Sequence, residues 1–593
     1  MNLLLKHISI FLFCLFLATL GFTQTPGNYI KGKVVNKDNE PLPFASIQFK
    51  GTVYGTISNE DGEFVVDKHK LDCDTIAVYY MGYETREFAL HRQTGQQIVT
   101  LEKAVNHLSE VLVLGDKESY AFGLLKKLIR KYRGNKKEQI SKAFLCLSSE
   151  MGQPLEIFEA FYNARLNPRL GVIDLELKNG RAGLVAKDNF SFVSLNTTDI
   201  ICDFSPFLKN TEQKLPLTPT NLGNQSIKSI FALSIDYIFG SEEEQIVVVA
   251  FEPKDDSGLF FSGKYYIDIN KNALQKLTLE SVNTKKIFLQ SIQEGVNIDS
   301  LDILLELNYS HGGNNLQTII YNYSFSLSNR PGNKISSKAL LAFYDYETPF
   351  EMPVSKPVDL DFDYHRILSY PFNELFWENN YYIPESKTKT DFTTFFKTNG
   401  YLINHDEFTV KSTYIESPYL CWNSEVRLKW GDIPIEKPVQ KLKMESGFIN
   451  IHNQTASSHF LSGHIFLDYE NQGDTTYFYS RASIDRSMSY LTDLPRDVFV
   501  LLYLNMYFDL FEIHRQKLIE NLKSLKNPSR QQIAKMYNEE MKDLCKALAQ
   551  IKRDTQQGYD KKGLKNWNRL IAKELGVNNL QLFGITEEEI DSW

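Results

Sequence analysis

Ile30-Lys31-Gly32-Lys33-Val34-Val35 begins the stretch that decides the fold at the front of this chain. The chain then turns through Asn36 to Glu40 and resumes at Pro41-Leu42-Pro43-Phe44-Ala45-Ser46-Ile47. A second turn, Asn59-Glu60-Asp61-Gly62, precedes Phe64-Val65-Val66, and a later strand ends in Tyr79-Tyr80-Met81-Gly82-Tyr83. Short apolar runs divided by turn residues at this spacing predict an all-β sandwich over residues 28–102. Asp61-Gly62 reads as a hairpin turn in which Gly62 supplies the positive φ. A calcium loop would need a fuller set of oxygen ligands than Asn59, Glu60, Asp61 and Glu63 provide.

Outward from this module, the N-terminus carries a leader. Met1 to Lys6 is positively charged, Ile8 to Leu20 is apolar, and Gly21-Phe22-Thr23 gives small residues at the minus-three and minus-one positions of a cleavage site. Residues 1–23 are therefore read as a signal peptide, since the apolar run is shorter than the roughly 18 to 20 residues of a spanning helix. At 593 residues the chain needs several hydrophobic cores. A net charge of −8 argues against nucleic acid, whose phosphates require clustered Lys and Arg. Six scattered cysteines show neither a disulfide framework nor metal-type pairs. The 40 Phe and 31 Tyr favour strands and point to extensive half-buried sheet.

Gly32-Lys33-Val34-Val35, Pro41-Leu42-Pro43-Phe44-Ala45, Gly55 to Phe64 and Tyr80-Met81-Gly82-Tyr83 resemble the carboxypeptidase regulatory-like domain. That family has a transthyretin-like Greek-key sandwich and stands at the front of TonB-dependent receptors and other Gram-negative envelope proteins. The resemblance implies a non-catalytic accessory module. Leu108-Ser109-Glu110-Val111-Leu112-Val113 is similar to the exit segment of such domains. Leu155 to Ala164 and Phe376-Trp377-Glu378-Asn379-Asn380 resemble an uncharacterised envelope family, in which the module precedes a β-rich region of unknown function. Some members of that family add a C-terminal outer-membrane barrel, whereas the last hundred residues here read as helices.

Tyr120 to Tyr132 carries apolar residues at Ala121, Leu125, Leu128 and Tyr132, with Leu124 and Ile129 beside them, which is helical spacing. Lys126, Lys127, Arg130 and Lys131 crowd the other face, which reads as the solvated face of an ordinary packed helix or, alternatively, as a surface for an anionic membrane or a partner. From Ser141 to about Arg486 alternating segments dominate. Leu259 to Ile269 and Ala273 to Glu280 flank Asn270-Lys271-Asn272 as a hairpin, and Ile303-x-Leu305-x-Leu307-x-Tyr309 faces Ile319-x-Tyr321-x-Tyr323-x-Phe325 across His311-Gly312-Gly313-Asn314. Helical signals follow: Asp493 with Pro495 for a first helix, Asn527-Pro528 as cap and first residue of a second, Gly558 as its stop, and Leu564 to Leu575 before Gly576 as a third. Val498 to Leu504 is apolar, but Asn505 and Asp509 interrupt it too soon for a membrane span.

The chemistry-bearing residues are few. His107-Leu108-Ser109-Glu110 has a His-x-x-Glu spacing without a third ligand, and His452 and His464 are placed opposite each other by a hairpin turning near Thr455 to Ser458. They are the metal candidates, with Asp468 and Glu470 just beyond, and ordinary β-surface positions are the alternative. Neither Gly-x-Ser-x-Gly nor a Walker spacing occurs.

The expected architecture is mainly β with α. A signal peptide (1–23) precedes the sandwich (28–102), a linker with a basic amphipathic helix (103–140), an antiparallel β-rich domain (141–486) and a helical C-terminal region (487–593). The expected protein is exported, non-catalytic and periplasmic or outer-membrane associated. It would use no cofactor, dock through its sandwich, and hold an envelope or outer-membrane partner or an apolar ligand on its aromatic sheet. A metal-dependent envelope hydrolase and an accessory of TonB-dependent uptake are the alternatives.

Overall fold

The computed structural model describes residues 29–52, 54–67, 75–90, 97–104, 116–185, 194–208, 214–240, 244–282, 284, 297–310, 313, 315–328, 332–355, 363, 366–367, 370–380, 382–405, 419–433, 459–491, 496–586 and 590. The leader, the His107–Glu110 pattern, the exit segment, and His452 with the turn expected near Thr455 lie outside these residues.

The chain divides into two compact units. Unit 1 comprises 1–110 together with 237–246 and 381–388, and unit 2 holds the remainder.

Unit 1 contains seven strands: β1 (Tyr29–Val35), β2 (Ser46–Phe49), β3 (Gly55–Ile57), β4 (Glu63–Asp67), β5 (Thr75–Tyr79), β6 (Arg86–Ala89) and β7 (Gln97–Thr100). They form two sheets, ordered β4-β1-β7 and β3-β2-β5-β6, whose facing residues Val34, Ile47, Phe64, Ile76, Val78 and Val99 make one core. Turn chemistry sets the connections. Asn36 Oδ1 accepts from the amides of Asp38 and Glu40 at 2.9 Å, and Asn59 Oδ1 accepts from those of Asp61 and Glu63 at 2.9 and 2.8 Å. Gly62 has φ +76°, and a Cβ there would lie 2.5 Å from the Val34 carbonyl oxygen. The loop is thus a side-chain-closed turn, with its Asn oxygen already committed. Thr56 Oγ1 donates to the Tyr382 carbonyl and the Lys387 amide donates to Asp61, which ties 382–387 to the same unit.

Unit 2 is built on an eleven-stranded sheet. Its strands are β8 (Gln139–Glu150), β9 (Pro154–Asn167), β10 (Gly171–Val185), β11 (Phe231–Gly240), β12 (Gln245–Pro253), β13 (Ser262–Asp268), β14 (Ala273–Ser281), β15 (Ile298–Tyr309), β16 (Leu316–Leu327), β17 (Lys334–Tyr344) and β18 (Gly400–Ile403). The order is β11-β12-β13-β14-β15-β16-β17-β8-β9-β10-β18, an open antiparallel sheet ending at β11 and β18. The two expected hairpins are present. β13 and β14 pair across Asn272, which takes φ 48°, and Leu305 faces Tyr321 while Ile303 faces Tyr323. Strand register lines up Leu277, Leu307, Ile319, Leu341, Leu145 and Ala160 as one continuous buried row. Period-two alternation, cleanest on β15 and β16, gives this face its apolar character, while β9 is buried on both faces over most of its length.

Short helices α2 (Thr197–Asp203), α3 (Asn224–Ile230) and α4 (Glu374–Asn379) and the longer α5 (Lys387–Asn399) pack around the sheet, together with α1 (Lys117–Gly134). Helix α1 starts at Asp116, whose carboxylate accepts from the Ser119 amide at 3.1 Å. The six apolar positions read from the sequence, Ala121, Leu124, Leu125, Leu128, Ile129 and Tyr132, are all buried. Tyr132 anchors the helix end. Its hydroxyl donates to the Gly313 carbonyl and accepts from the Leu274 amide, both at 3.0 Å, and its ring stacks on Phe207 at 4.3 Å.

A second, three-stranded sheet, β19 (Tyr419–Cys421), β20 (His459–Gln472) and β21 (Thr475–Leu491), is ordered β19-β21-β20. It shares a core with α6 (Val498–Lys523), α7 (Arg530–Thr555), α8 (Lys561–Leu575) and α9 (Asn579–Leu582). Strand β21 runs through the expected domain limit at 486/487 and therefore belongs to the same packed body as the helices. The helix starts differ from the sequence reading. Asp497 caps α6 through the Phe499 amide, with Asp493 and Pro495 lying outside the described residues, and Ser529 with Gln532 forms a capping box on α7 in place of Asn527-Pro528. A reciprocal side-chain box satisfies two amides at once, which proline at the first turn cannot do. Among the described residues no helix is long and apolar enough to cross a membrane, a statement that does not bear on strands.

Gly463 in β20 is where sheet and helix come closest. A Cβ there would sit 2.0 Å from the Phe511 ring of α6. Gly463→Ala is expected to lower stability by about 1–3 kcal/mol through overpacking, read as a shift in denaturant midpoint at constant slope. An unchanged midpoint would mean that β20 and α6 can separate freely.

Candidate functional site

Strand β10 brings the densest group of buried charges together. Its register with β9 shifts between Leu177 and Asn179, leaving Lys178 as the extra residue of a bulge. Bulges re-aim side chains, and here the ammonium of Lys178 reaches Asp468 on β20 at 2.5 Å and the Glu351 carbonyl at 2.6 Å. Both partners of the pair are almost fully buried. Burial pulls the Asp468 carboxyl above its ordinary range, while Lys178 pulls it back.

Three residues along, Arg181 donates to Glu159 at 2.6 Å and lies 4.2 Å over the Trp377 ring, whose indole N–H donates to Asn179 at 2.9 Å. Lys389 of α5 reaches the other Glu159 oxygen at 2.6 Å. Burial opposes the charge on Glu159, yet the two cations outweigh it and hold the carboxyl at about 2. His405 is pushed down to about 3 by burial and by the Arg181 guanidinium. An acid–base catalyst works best with a pKa near the operating pH. A carboxylate clamped by two cations and an imidazole held neutral fill structural places instead.

His464 does not stand on a β-surface. It is buried on β20 opposite Ser483, shares a hydrogen bond with Ser355 Oγ, and the hairpin that carries it turns at Gly473. Its cross-strand neighbour is set by that turn, 15 residues from the one read in the sequence at its nearer end. Asp468, the acidic residue expected beside it, is committed to Lys178. Among the described residues no three His, Cys, Asp or Glu side chains are grouped to hold a metal.

Burial alone pushes the His464 imidazole down to about 4 from 6.5. Between those values the unfolded chain binds a proton that the folded chain refuses, so stability falls as pH drops from 6.5 towards 4. The loss is expected to reach about 3 kcal/mol, at about 1.4 kcal/mol for each pKa unit. Denaturant midpoints across this window should fall more steeply for the native protein than for His464→Gln. Parallel curves would show that His464 is already protonated or unburied. The Glu159 contribution lies lower, being present above 4.5 and lost as pH falls towards 2.

Lys126, Lys127, Arg130 and Lys131 are all exposed on α1, as read from the sequence, while the apolar stripe beneath them is spent on the sheet. The sequence reading missed what the fold adds. Lys228 of α3 joins the face: its ammonium and that of Lys126 lie 5.1 and 5.3 Å from the Phe122 ring centroid, and Lys228 also bonds Ser119 at 3.1 Å. Lys131 is half-committed, bonding the Lys271 carbonyl at 3.3 Å near Asp268. No signal in the sequence links Lys228 to Phe122 across a hundred residues. For Lys178 the only local sign was the break that follows it, since Asn179-Gly180 ends the alternation Asp174-Leu175-Glu176-Leu177-Lys178.

The aromatic side chains that suggested an apolar ligand are used in packing. The Tyr321 and Tyr323 rings lie 4.8 Å apart, tilted by 33°, on the buried face of the sheet, and Phe161 packs against Phe376 and Trp377 at 5.3 and 5.2 Å.

Two sheets packed on one core, with connections closed by Asn turns, make unit 1 a β-sandwich. Residues 30–113 match the family model described as CarboxypepD_reg-like domain, so the chain carries a domain of that family. No curated relative matches the chain. Among solved structures, a LolA superfamily protein from Nitrosomonas europaea is similar at 11% identity, over 39% of this chain and 94% of that one, with a TM-score of 0.18. A DUF1329 family protein from Desulfovibrio piger has 11% identity, covers 39% and 93%, and scores 0.17. The Pseudomonas aeruginosa MucA/MucB complex has 9% identity, covers 39% and 100%, and scores 0.14. Scores of this size define no shared fold.

Proposed function

We propose that this protein is an exported, non-catalytic component of the Gram-negative cell envelope, in which the sandwich is a docking module and unit 2 a binding or structural body. The observation that carries the reading is the CarboxypepD_reg-like domain at 30–113, directly behind an apolar leader with a cleavage-type Gly21-Phe22-Thr23. The closed ion pairs of β10 and the buried, neutral His464 support the absence of a reaction centre, because each charged group is matched by a partner from the chain itself.

Fractionation of cells producing the full chain, with N-terminal sequencing of the recovered protein, tests this. Recovery in envelope fractions with a new N-terminus near Gln24 is the expected result. A cytosolic protein that keeps Met1 would overturn it. Hydrolysis of peptides or esters by purified protein, lost in His464→Ala, would replace the binding role with the hydrolase alternative.

A further inference from the structure

The cations of α1 and α3 form one face whose charge the described residues leave largely uncancelled. Lys126, Lys127 and Arg130 make no ion pair among the described residues, and Lys136 and Lys137 extend the exposed positive surface beyond the helix end. Among the described residues the acids nearby are few: Asp116 and Glu118 at the helix start, with Asp116 facing Lys228, Asp268 facing Lys131, and Glu138 next to Lys137. This accumulation stands out in a chain of net charge −8. Like-charged ammonium groups gathered around one half-buried ring repel one another, so the arrangement favours an anionic occupant.

From this geometry we infer that the α1–α3 face docks unit 2 on an anionic phospholipid surface, by adsorption and without insertion. The inference rests on the envelope reading for its biological setting but not for its chemistry. Three features favour lipid phosphates over an acidic protein. The cations are mostly lysines, compact point charges suited to a diffuse layer of phosphates, where a carboxylate partner would favour the arginine fork. Tyr120, 41% exposed, stands on the opening turn of the same helix, as interfacial tyrosines do. The apolar stripe needed for insertion is already buried under the helix, which leaves charge as the attraction.

Co-sedimentation of the full chain with vesicles tests this. One set contains phosphatidylcholine alone and the other phosphatidylcholine with phosphatidylglycerol, each at low and high salt. Binding is expected only to the anionic vesicles and is expected to weaken steeply with salt. The Lys126→Gln/Lys127→Gln/Arg130→Gln variant should bind roughly 100-fold more weakly, from about 1 kcal/mol for each cation near the surface. A control variant, Lys535→Gln/Lys546→Gln, removes exposed cations of α7 and should bind as the native protein does. All five residues are exposed, so melting curves should coincide. Equal binding to neutral vesicles, equal binding by the triple variant, or capture of poly-glutamate but not vesicles would each overturn the inference. None of these outcomes depends on where the protein is found in the cell, so this test and the fractionation fail independently.

Discussion

Lys178→Met is expected to destabilise the protein by about 3–5 kcal/mol, among the largest effects of any single substitution. The ammonium is 3% exposed and its partner Asp468 is 2% exposed, at 2.5 Å. Removing the cation leaves a carboxylate in the interior with the Tyr469 amide, at 2.9 Å, and the field of Arg530 to compensate it. The Asp468 carboxyl, already raised by burial, would then take up a proton more readily, so the loss should be greatest at neutral pH and smaller in acid. The double variant Lys178→Met/Asp468→Leu separates two roles. Apolar replacement of a whole buried pair is often neutral or stabilising, so the double variant should regain most of the loss. Equilibrium unfolding of the single and double variants measures this. A double variant no better than Lys178→Met would mean that the pair fixes how the sheet of β20 packs beside β10, beyond balancing charge.

Asp509→Ala comes next, also at about 3–5 kcal/mol. Asp509 on α6 is fully buried, and its two oxygens hold three donors from two other parts of the chain. Arg427 and the Trp422 indole donate to Oδ1 at 2.7 Å, and Asn579 donates to Oδ2 at 2.7 Å. Arg427 also bonds Asn579 at 2.8 Å, so the cation would remain buried with neutral partners alone, Asn579 and the Asn505 and Asn423 carbonyls, both at 3.4 Å. The segment 419–433 is joined to the helices through this carboxylate and through Asn505, which bonds both the amide and the carbonyl of Leu428. Proteolysis should therefore cut near 419–433 in Asp509→Ala before the rest of unit 2 opens. Resistance equal to the native protein would show that apolar packing of Leu428 and Ile433 suffices to hold the segment.

Both residues show why parts of this molecule were legible in the sequence and parts were not. Asn505 and Asp509 were visible as interruptions of an apolar run, enough to exclude a membrane span but not to name their partners. The alternation of Ile303 to Tyr309 against Ile319 to Phe325, the Asn272 turn and the apolar stripe of α1 were all readable, because each is a local periodicity imposed by strand or helix geometry. The His464 environment was misplaced because a register depends on where the hairpin turns, and a shift of the turn changes every cross-strand neighbour. The cap of α7 was misread because Ser529 with Gln532 competes locally with Asn527-Pro528, and only the backbone path decides between them.

The sequence by itself determined the β-sandwich at the front and the family to which that domain belongs, along with the β-rich body, the C-terminal helices and the positive face of α1. These follow from turn residues and from periods of two and 3.6, which act over a few residues. Only the tertiary structure decided that β17 pairs with β8, nearly two hundred residues earlier, and that Lys178 meets Asp468, 290 residues later. It alone placed Lys228 beside Phe122, completing the cationic face. Such contacts are set by how whole faces bury against one another, a property of the packed chain that no local window of sequence contains.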